Sequence, residues 1–432
     1  MKRILIAIVL TSALISCAGT SINRSFVKVE KGLFIVNGKP AYYIGANFWY
    51  GAILASEGEG GDTLRLRREL DLLKDAGITN LRVLVGSDGE RGVNSKVEPT
   101  LQVSPGVYND TILKGLDRLM AELAKRDMKA VLYLNNSWEW SGGYSQYLSW
   151  SGHGKAPVPN IDGWPEYIEY VKQFHKCDSC KTLFAAYVHD IVSRTNSVTG
   201  IAYKDDPAIF SWQIGNEPRA FADDNKESFA KWIGDVAKLI KSIDPNHMVS
   251  TGSEGKHGCE EDMALFEKIH SYPEIDYLNI HIWPYNWKWI SQDSVTAKCS
   301  VAVDSTLAYI DDHLVIADKL GKPVVIEEFG YPRDNFIFTP GSAVTGRDKY
   351  YESVFEYIFK CAEKKKLLAG CNFWGWGGFA VRNPSNEFWE KGDDYTGDPA
   401  QEPQGLNSVF AADSSTVKLI KDYNQKISSL YK

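Results

Sequence analysis

Eight short apolar runs, separated by helical patterns, recur along this 432-residue chain and constrain its fold more than any other feature. Apolar, β-rich runs that alternate with helical patterns are typical of repeated βα units. Eight such units fit one barrel, a fold that commonly reaches about 400 residues. The sequence therefore predicts an α/β protein, a (β/α)8 TIM barrel with extended loops on the catalytic face. The candidate strands are Tyr42 to Asn47, Asn80 to Gly86, Lys129 to Asn135, Ile209 to Gly215, His247 to Gly252, Tyr277 to His281, Pro323 to Glu328 and Ala369 to Phe373.

Helical patterns fill the gaps between these runs. The first begins after Asp62-Thr63, a capping pair, and Gly77 follows its end as a stop signal. The helices predicted in this way are Leu64 to Ala76, Asp110 to Arg126, Leu183 to Ser193, Lys226 to Ile243, Met263 to His270, Ser305 to Leu320 and Lys349 to Lys365.

Four further segments complete the predicted barrel. Val27 to Glu30 and Leu33 to Val36 precede the first strand and predict a small hairpin that closes the bottom of the barrel. Ser137 to Cys180 and Arg382 to Asn407 follow strands and are too long for simple connections. Loops that follow strands lie on the catalytic face of such a barrel, so we expect both to wall a cleft.

Composition and charge narrow the class of ligand. The chain is 44% hydrophobic and 24% charged, which is ordinary for a globular protein with a large core. The net charge of -7 disfavours nucleic acid and acidic polymers, because both favour a basic surface. Several of the 13 tryptophans lie in polar, loop-like segments such as Ser137-Trp138-Glu139-Trp140 and Trp287-Lys288-Trp289. Flat rings at a wet surface favour a neutral sugar ligand.

The first residues predict export. Lys2-Arg3, an apolar stretch from Ile4 to Ile15, and Leu14-Ile15-Ser16-Cys17 together resemble a bacterial lipoprotein signal with lipidation at Cys17. The alternative is an ordinary secretory signal with an incidental cysteine. We therefore expect a signal peptide over residues 1–16, an anchor linker over 17–25 and a single catalytic domain over 26–432. The expected location is the outer membrane, with the periplasmic side preferred over the surface side.

Beyond Cys17, the chain has six cysteines, an even number in a compartment that permits disulfides. Pairing of nearest neighbours predicts Cys177 with Cys180, Cys259 with Cys299 and Cys361 with Cys371. A metal half-site or a redox motif is the alternative for Cys177 and Cys180. The chain has no second CxxC, so a structural clip or free thiols are favoured.

Two glutamates are the strongest candidates for chemistry. Glu217 stands in Ile214-Gly215-Asn216-Glu217-Pro218, and Glu328 stands in Val325-Ile326-Glu327-Glu328-Phe329-Gly330. Each apolar run ends in a carboxylate followed closely by Pro or Gly, which is how a buried parallel strand delivers a side chain to a loop-built site. Two carboxylates about 5 Å apart are what retaining glycosidases need across the scissile bond. The alternative for each glutamate is a plain strand-end or helix-start residue.

These motifs, in this order and on the fourth and seventh predicted strands, resemble glycoside hydrolase family 5. The likeness runs from about Phe26 to the C terminus. It implies that Glu217 is the general acid/base, protonated near neutral pH, and that Glu328 is the ionised nucleophile. Glu327 competes with Glu328. Strand alternation points the two to opposite faces, and the family's nucleophile directly precedes an aromatic-Gly pair.

Further positions match the family one by one. The resemblance implies that Arg82 keeps the nucleophile ionised and that Asn216 hydrogen-bonds the sugar 2-hydroxyl. A surface arginine and a turn asparagine are the structural alternatives. His281 falls where the family has a histidine, with a plain core histidine as the alternative. Trp283 replaces the usual tyrosine beside the nucleophile, and its indole N–H can still donate to Glu328.

Tryptophans match the predicted sugar platforms. Trp374 resembles the residue that forms the floor under the sugar at the cleavage point, and Trp376 is the alternative because positions i and i+2 of a strand face the same way. A core-filling role for both stays open. Trp49, Trp138 and Trp287 are further candidate platforms.

Arg219 completes Asn216-Glu217-Pro218-Arg219 and is a feature of the mannan-cleaving branch of the family. Other features of that branch are Asp205-Asp206-Pro207-Ala208-Ile209, Asn135-Asn136 ahead of a Trp and Gly142-Gly143, Gly397-Asp398-Pro399 and Gln401-Glu402-Pro403-Gln404-Gly405. The resemblance implies an endo-β-1,4-mannanase in which Arg219 contacts sugar beyond the cleavage point. A structural ion pair is the alternative for Arg219.

Three other functions stay open. The site can cleave β-1,4-glucans, or release mannose or mannobiose from chain ends if a loop such as Ser137 to Cys180 blocks one end of the cleft. From a different class, the protein can be a non-catalytic sugar-binding lipoprotein. No phosphate-binding loop, metal-ligand cluster or nucleotide fingerprint stands out, so we expect no cofactor and no metal. The expected partner of this monomer is β-mannan, with no nucleic acid and membrane contact only through the lipid anchor.

Overall fold

A computed structural model describes residues 25–89 and 95–431. The predicted signal peptide over residues 1–16 and the lipidation site Cys17 lie outside the described residues. Within those ranges, eight parallel strands form one nearly closed sheet, and an α-helix of at least nine residues follows each strand. The predicted (β/α)8 barrel is confirmed.

The barrel strands are β1 (Tyr43–Asn47), β2 (Asn80–Leu84), β3 (Lys129–Tyr133), β4 (Ile209–Gln213), β5 (Met248–Ser250), β6 (Leu278–Ile282), β7 (Val324–Phe329) and β8 (Leu368–Phe373). The helices that follow them are α1 (Thr63–Asp75), α2 (Asp110–Lys125), α3 (Asp178–Val192), α4 (Lys226–Ile243), α5 (Met263–Ser271), α6 (Cys299–Leu320), α7 (Thr345–Glu363) and α8 (Ser414–Ser429). Strand pairing runs in the order β5, β4, β3, β2, β1, β8, β7, β6.

Isolated backbone and side-chain hydrogen bonds, rather than a strand ladder, close the barrel between β5 and β6. Just before β6, the Asp276 backbone N–H donates to the Val249 carbonyl at 2.9 Å, and its carboxylate accepts the Val249 N–H at 2.7 Å. The Asn279 side-chain oxygen accepts the Gly252 N–H at 2.8 Å. Among the described barrel strands, this is the one neighbouring pair without a ladder. Asp276 and Asn279 therefore complete the circle.

The bottom of the barrel is closed as predicted. The N-terminal hairpin pairs Lys28–Glu30 with Leu33–Val36, and Lys39–Pro40 adds a third strand. Phe34 is fully buried and packs edge-on against Phe210 and Tyr277, with ring centroids 5.1 and 5.2 Å apart. This separate apolar cluster covers the starts of the barrel strands, so the opposite end is left for the site.

Most predicted helices agree with the observed ones, and Asp62 caps α1 by accepting the backbone N–H groups of Leu64 and Arg65. Two differ. Helix α3 starts before the predicted Leu183, at Asp178, because the Cys177 sulfur accepts the Cys180 N–H as a cap. Helix α8 was not predicted. It packs on α7 and on β1, which completes the outer ring of helices.

The long segment after β3 is not a plain loop. It contains the short helices Gly143–Trp150, Pro159–Asp162 and Trp164–Val171 before α3 begins. The segment after β8 includes a short strand, Trp376–Gly378, which pairs with Val409–Phe410. In the described part of the chain, no helix combines the length and apolarity that crossing a membrane requires.

The disulfide predictions hold for one pair. Cys177 is joined to Cys180. The four remaining cysteines of the described ranges, Cys259, Cys299, Cys361 and Cys371, are buried and free, so the two other predicted pairings are wrong. Neighbours in sequence lie on different elements here, since Cys361 belongs to α7 and Cys371 to β8. Burial raises the pKa of the Cys259 thiol to about 12, which keeps it unreactive.

Candidate active site

Glu217 and Glu328 face each other at the C-terminal end of the barrel. Glu217 follows β4, and Glu328 lies near the end of β7. His281, from β6, stands between them, with Nδ1 2.9 Å from a Glu217 oxygen and 3.3 Å from a Glu328 oxygen. These ligand-type atoms all lie within 4.8 Å of one another. This spacing matches the separation of about 5 Å that retaining enzymes use, rather than the wider spacing of inverting ones.

The Arg82 guanidinium lies behind Glu328 and donates to it through Nη1. The same nitrogen donates to Asn47 at 3.1 Å, and Nε donates to Gln213 at 2.8 Å. Nη2 donates to the Asn216 side-chain oxygen at 2.8 Å. Arg82 is fully buried and does not line the cavity. It therefore positions the carboxylate and the asparagine rather than contacting sugar.

The two carboxyls have different electrostatic surroundings. Burial raises the pKa of Glu217, against a smaller lowering by Arg219. Burial and the neighbouring Glu217 also raise the pKa of Glu328, while Arg82 acts in the opposite direction. Two carboxylates at this distance do not both ionise readily, so one proton stays with the pair. Of the two carboxyls that face the cavity, Arg82 contacts Glu328 and not Glu217, which assigns the negative charge to Glu328 and the proton to Glu217.

Glu217 is held by two indoles. Its backbone has a φ of +48°, a left-handed conformation that is costly for a side chain other than glycine and is typical of functional positions. The Trp138 N–H donates to Glu217 Oε2. The Trp283 indole also lowers the pKa of Glu217. The donation to Glu328 that the sequence suggested is not observed. The Trp283 ring packs edge-on against Trp374, with ring centroids 6.0 Å apart.

Glu327 points into the barrel instead of the cavity. It is fully buried and accepts hydrogen bonds from the Gln213 amide and, at 3.0 Å, from the Tyr277 hydroxyl. Its carboxylate lies 3.5 Å from Arg82. Glu328 lines the cavity and Glu327 does not, which is the arrangement that strand alternation predicts.

A cavity of about 370 Å³ lies in front of the carboxyls, within the range of small-molecule sites. Trp374 forms its floor, whereas Trp376 is buried in the core. Asn216 lines the cavity while its amide donates to Asn136 at 3.2 Å. The tryptophans that line the cavity are Trp138, Trp140, Trp164, Trp283, Trp287 and Trp374.

Trp49 does not line the cavity and is a correction to the predicted platforms. It is 1% exposed, and its N–H donates to the Gly397 carbonyl at 3.0 Å. Its ring packs edge-on against Trp140 at 5.9 Å and against Tyr395 at 5.1 Å. Trp49 thus supports Trp140 from behind and joins the segment after β3 to the segment after β8.

The turn after β3 requires its glycines. Gly143 has a φ of +52°, and a Cβ there would lie 2.0 Å from the Asn136 carbonyl oxygen. The close approach holds the turn that places Trp138 and Trp140 over the cavity. This gives a structural reason for the Gly142-Gly143 pair noted in the sequence.

Arg219 has two sets of contacts. Its Nε donates to Glu254 at 2.7 Å and Nη2 contacts the same oxygen, while the guanidinium lies 5.2 Å from the centre of the Trp138 ring. Arg219 also lines the cavity and a second depression of about 550 Å³ outside it, which Trp287 borders too. The position of Arg219 therefore allows both an ion pair with Glu254 and a contact with sugar in the cavity.

Several residues of the cavity were missed in the sequence. Glu254 follows β5 as Glu217 follows β4. Its position after a barrel strand is the feature of the sequence that could have identified it as a site residue. Glu139 stands between two tryptophans after β3. Gln401 and Glu402 belong to a motif noted only as a family likeness. All four residues line the cavity. Their spacing in the sequence matches no metal-binding motif, so no such motif drew attention to them.

Glu217, His281 and Glu328 also have the spacing of a metal-ligating set. Arg82 already balances the charge of Glu328. Burial and the Arg82 charge lower the pKa of His281 far below its usual value, so this imidazole is neutral beside the two carboxyls. We assign the three groups to proton transfer and nucleophilic attack.

Comparison with known proteins agrees with this geometry. A putative mannan endo-1,4-β-mannosidase 9 from Oryza sativa is 31% identical over 385 residues, covering 86% of this chain and 84% of that protein. A putative mannan endo-1,4-β-mannosidase 4 from Arabidopsis thaliana is 28% identical and covers 99% of this chain and 97% of that protein.

Among solved structures, the glycoside hydrolase family 5 mannosidase from Rhizomucor miehei superposes with a TM-score of 0.85 at 31% identity, over 94% of this chain and 98% of that one. The endo-β-1,4-mannanase from Thermotoga petrophila, at 22% identity, shares the fold with a TM-score of 0.67, over 90% of this chain and 78% of that one. The family described as GH family 5 beta-mannosidase-like matches residues 24–432. The chain therefore belongs to glycoside hydrolase family 5.

Proposed function

We propose that the protein hydrolyses the β-1,4-mannosidic bonds of mannan, glucomannan or galactomannan and retains the anomeric configuration. The observation that carries the proposal is the buried pair Glu217 and Glu328, whose oxygens lie within 4.8 Å, with Arg82 paired to Glu328 and not to Glu217. A double displacement needs this distance and this division of charge. The similarity to mannosidases from rice, Arabidopsis and Rhizomucor supports a mannosidic bond as the target.

The reaction follows from the positions of the two carboxyls. Glu328 attacks the anomeric carbon while Glu217 gives its proton to the leaving oxygen, so the glycosidic bond breaks and a glycosyl–enzyme ester forms. Glu217, now ionised, takes a proton from water, and the water oxygen displaces Glu328. Two displacements on one carbon restore its configuration.

Internal cleavage is the mode that the names of the curated relatives support, since both are called endo-acting. Arg219 and Trp287 border both the cavity and the outer depression, so a long leaving chain has a continuous path past Glu217. We assign Arg219 to sugar on this leaving side, with Glu254 holding its guanidinium in place.

The test compares mannan, glucomannan, galactomannan and cellulose as substrates, and follows the first product by proton NMR. We expect mannans to be cleaved and the β-anomer to appear first. Preference for cellulose would replace the mannan assignment with a general β-glycanase. The α-anomer as first product would contradict the double displacement.

We also propose that the protein is exported and held at the outer membrane through lipidated Cys17. The signal-like pattern of residues 1–16 and the disulfide between Cys177 and Cys180 support export. Cys17→Ser is expected to release the enzyme in soluble form with unchanged activity. Protease treatment of intact cells that removes the wild-type protein would place it on the surface side instead.

A further inference from the structure

His175 is a buried histidine that lies outside the cavity but contacts the segment that carries the acid/base. The residue is 1% exposed and does not line the cavity. Its Nε2 lies 2.7 Å from the backbone carbonyl of Arg219, two residues after Glu217. A carbonyl oxygen only accepts hydrogen bonds, so the proton of the neutral ring is on Nε2. Nδ1 has no hydrogen-bond partner among the described residues, which agrees with this tautomer.

Aromatic side chains hold the imidazole of His175 in place. The contacts are edge-on, with ring centroids 5.3 to 5.6 Å apart, and the partners are Tyr144, Phe174, Phe229 and Trp232. Burial lowers the pKa of His175 to about 4, so the ring is neutral near neutral pH. A neutral ring packed against these side chains has little freedom to turn away from the Arg219 carbonyl.

Further hydrogen bonds join the turn that carries His175 to the segment after β4. The Asn225 side-chain amide donates to the Lys172 carbonyl at 2.7 Å and to the Ala220 carbonyl at 2.9 Å. The turn ends at Cys177, which belongs to the disulfide and caps α3. The segment after β3 therefore supports the segment after β4 from an anchored position.

The segment after β4 needs this support because its backbone is strained. Glu217 has a φ of +48° and Phe221 has a φ of +59°. Side chains other than glycine keep such left-handed conformations only where the surrounding structure over-determines them. The Glu217 N–H donates to the Gly252 carbonyl at 3.0 Å, and the Phe221 N–H donates to a carboxylate after β5 at 2.8 Å. Between these two points, His175 holds the Arg219 carbonyl.

We propose that His175 is a positioning residue for the acid/base Glu217. By holding the Arg219 carbonyl, its Nε2–H fixes the end of the turn from which the Glu217 carboxyl reaches the cavity. Pro218 lies between Glu217 and Arg219, and its ring locks one backbone torsion, so a shift at Arg219 is passed on to Glu217. His175 touches no reacting atom and acts through this backbone. The inference rests on the proposed function, in which Glu217 gives its proton to the leaving oxygen.

A displaced acid slows the departure of some leaving groups more than others. A sugar hydroxyl is a poor leaving group unless Glu217 protonates its oxygen while the bond to the anomeric carbon breaks. Dinitrophenolate is stable as an anion and leaves without that proton. Loss of the His175 hydrogen bond should therefore slow the cleavage of mannan, and should spare the first displacement on a dinitrophenyl glycoside.

The first test compares His175→Phe with the wild type on mannan and on 2,4-dinitrophenyl β-mannotrioside. Phenylalanine keeps a ring in the aromatic cluster and removes the N–H. We expect kcat/KM on mannan to fall by on the order of 10- to 100-fold, the loss that a small displacement of a catalytic group causes, and kcat/KM on the dinitrophenyl substrate to stay within roughly twofold. The ratio of the two values does not depend on the fraction of folded enzyme. An equal loss on both substrates, or no loss on either, would overturn the inference.

The second test restores the donor. Glutamine places an amide N–H near the position of Nε2, whereas the shorter asparagine reaches only the position of Nδ1. His175→Gln should therefore recover most of the activity on mannan, and His175→Asn should behave like His175→Phe. The side chain of His189, on α3, is 64% exposed, so His189→Phe is the control and should change neither value. Equal rates for the glutamine and asparagine variants would mean that the N–H donor is not what positions Glu217.

The wild-type enzyme separates this inference from the proposed function. If it cleaves neither mannan nor the dinitrophenyl mannotrioside, the proposed function fails and this inference fails with it. If it cleaves both and His175→Phe keeps the wild-type ratio of the two kcat/KM values, only the role of His175 is overturned.

Discussion

The region behind the two carboxyls and the region in front of them satisfy their polar groups in opposite ways. Behind Glu328, every guanidinium nitrogen of Arg82 has an acceptor among the described residues. In front, Glu139, Gln401 and Glu402 present oxygen atoms without a donor. Arg82 and Glu139 lie in one barrel and are both buried, so burial alone does not explain the difference.

This comparison separates residues that support the nucleophile from residues that recognise the substrate. A saturated network fixes the charge and direction of the nucleophile before any sugar arrives, which is how electrostatic preorganisation lowers a barrier. Unsaturated walls gain their partners only when a ligand with hydroxyls enters. Substitutions behind the carboxyls should therefore change turnover, and substitutions in front should change which substrates and chain lengths are accepted.

The largest effect is expected where the two regions meet. Glu328→Ala and Glu217→Ala should each lower kcat on mannan by on the order of 10⁴-fold or more, because each removes a reacting group. Azide should partly restore the Glu328 variant by occupying the vacated space. Glu327→Gln is the control and should keep most activity. An inactive Glu327 variant beside an active Glu328 variant would move the nucleophile by one residue.

A smaller effect is expected from the supporting region. Arg82→Lys keeps a positive charge but loses the fork that contacts Glu328, Asn216 and Gln213. We expect kcat to fall by roughly 100-fold with little change in KM. The pKa of Glu328 should rise, so the acidic limb of the pH profile moves to higher pH. Arg67→Lys, at a half-exposed arginine, should change neither quantity.

In the front region, Arg219→Lys should act on chain length. We expect roughly a twofold loss on long mannan and about a tenfold loss on mannotetraose, with less transfer of sugar to acceptors, because contacts on the leaving side matter most when few others exist. Product analysis by chromatography measures both. A uniform loss at every chain length, together with a lower melting temperature, would restrict Arg219 to its ion pair with Glu254.

The smallest effect is on stability. Burial raises the pKa of Glu139 from 4.5 to about 7. The folded state therefore holds its proton more tightly than the unfolded state does, and this contribution to stability is full below pH 4.5 and is lost as the pH rises through 7. Glu139→Gln should raise the melting temperature at pH 8 by on the order of 2–4 °C and leave it unchanged at pH 4. The opposite pattern would mean that Glu139 is ionised and satisfied in the free enzyme.

The features that the sequence predicted best are those that depend on residues close together in the chain. Apolar runs located the strands, the motifs after β4 and at the end of β7 located Glu217 and Glu328, and the capping residue located the start of α1. The hairpin that closes the bottom of the barrel was also predicted from the sequence, because its two apolar runs are short and adjacent. Helix α8 has regularly spaced apolar residues and was missed only because a long segment precedes it.

Other features depend on distant parts of the chain. The sequence around a tryptophan does not show whether its ring faces a cavity or the core. Trp49 is buried because Gly397, which is distant in the sequence, contacts its indole. Trp283 acts on Glu217 and packs on Trp374, and both residues are far from it in the sequence. The lack of partners at Glu139 is a property of everything that surrounds it, and no local pattern records it.

The missing strand ladder between β5 and β6 affects where the barrel begins to unfold. Regions with few backbone hydrogen bonds open locally at a lower free energy than the global transition. Amide hydrogens along this seam should exchange first on warming, since Asp276 and Asn279 carry the closure there. The seam borders Glu254 and His281, whereas β7 and β8 each pair with a neighbouring strand on both sides. Thermal softening therefore begins beside the acid/base and reaches the nucleophile last.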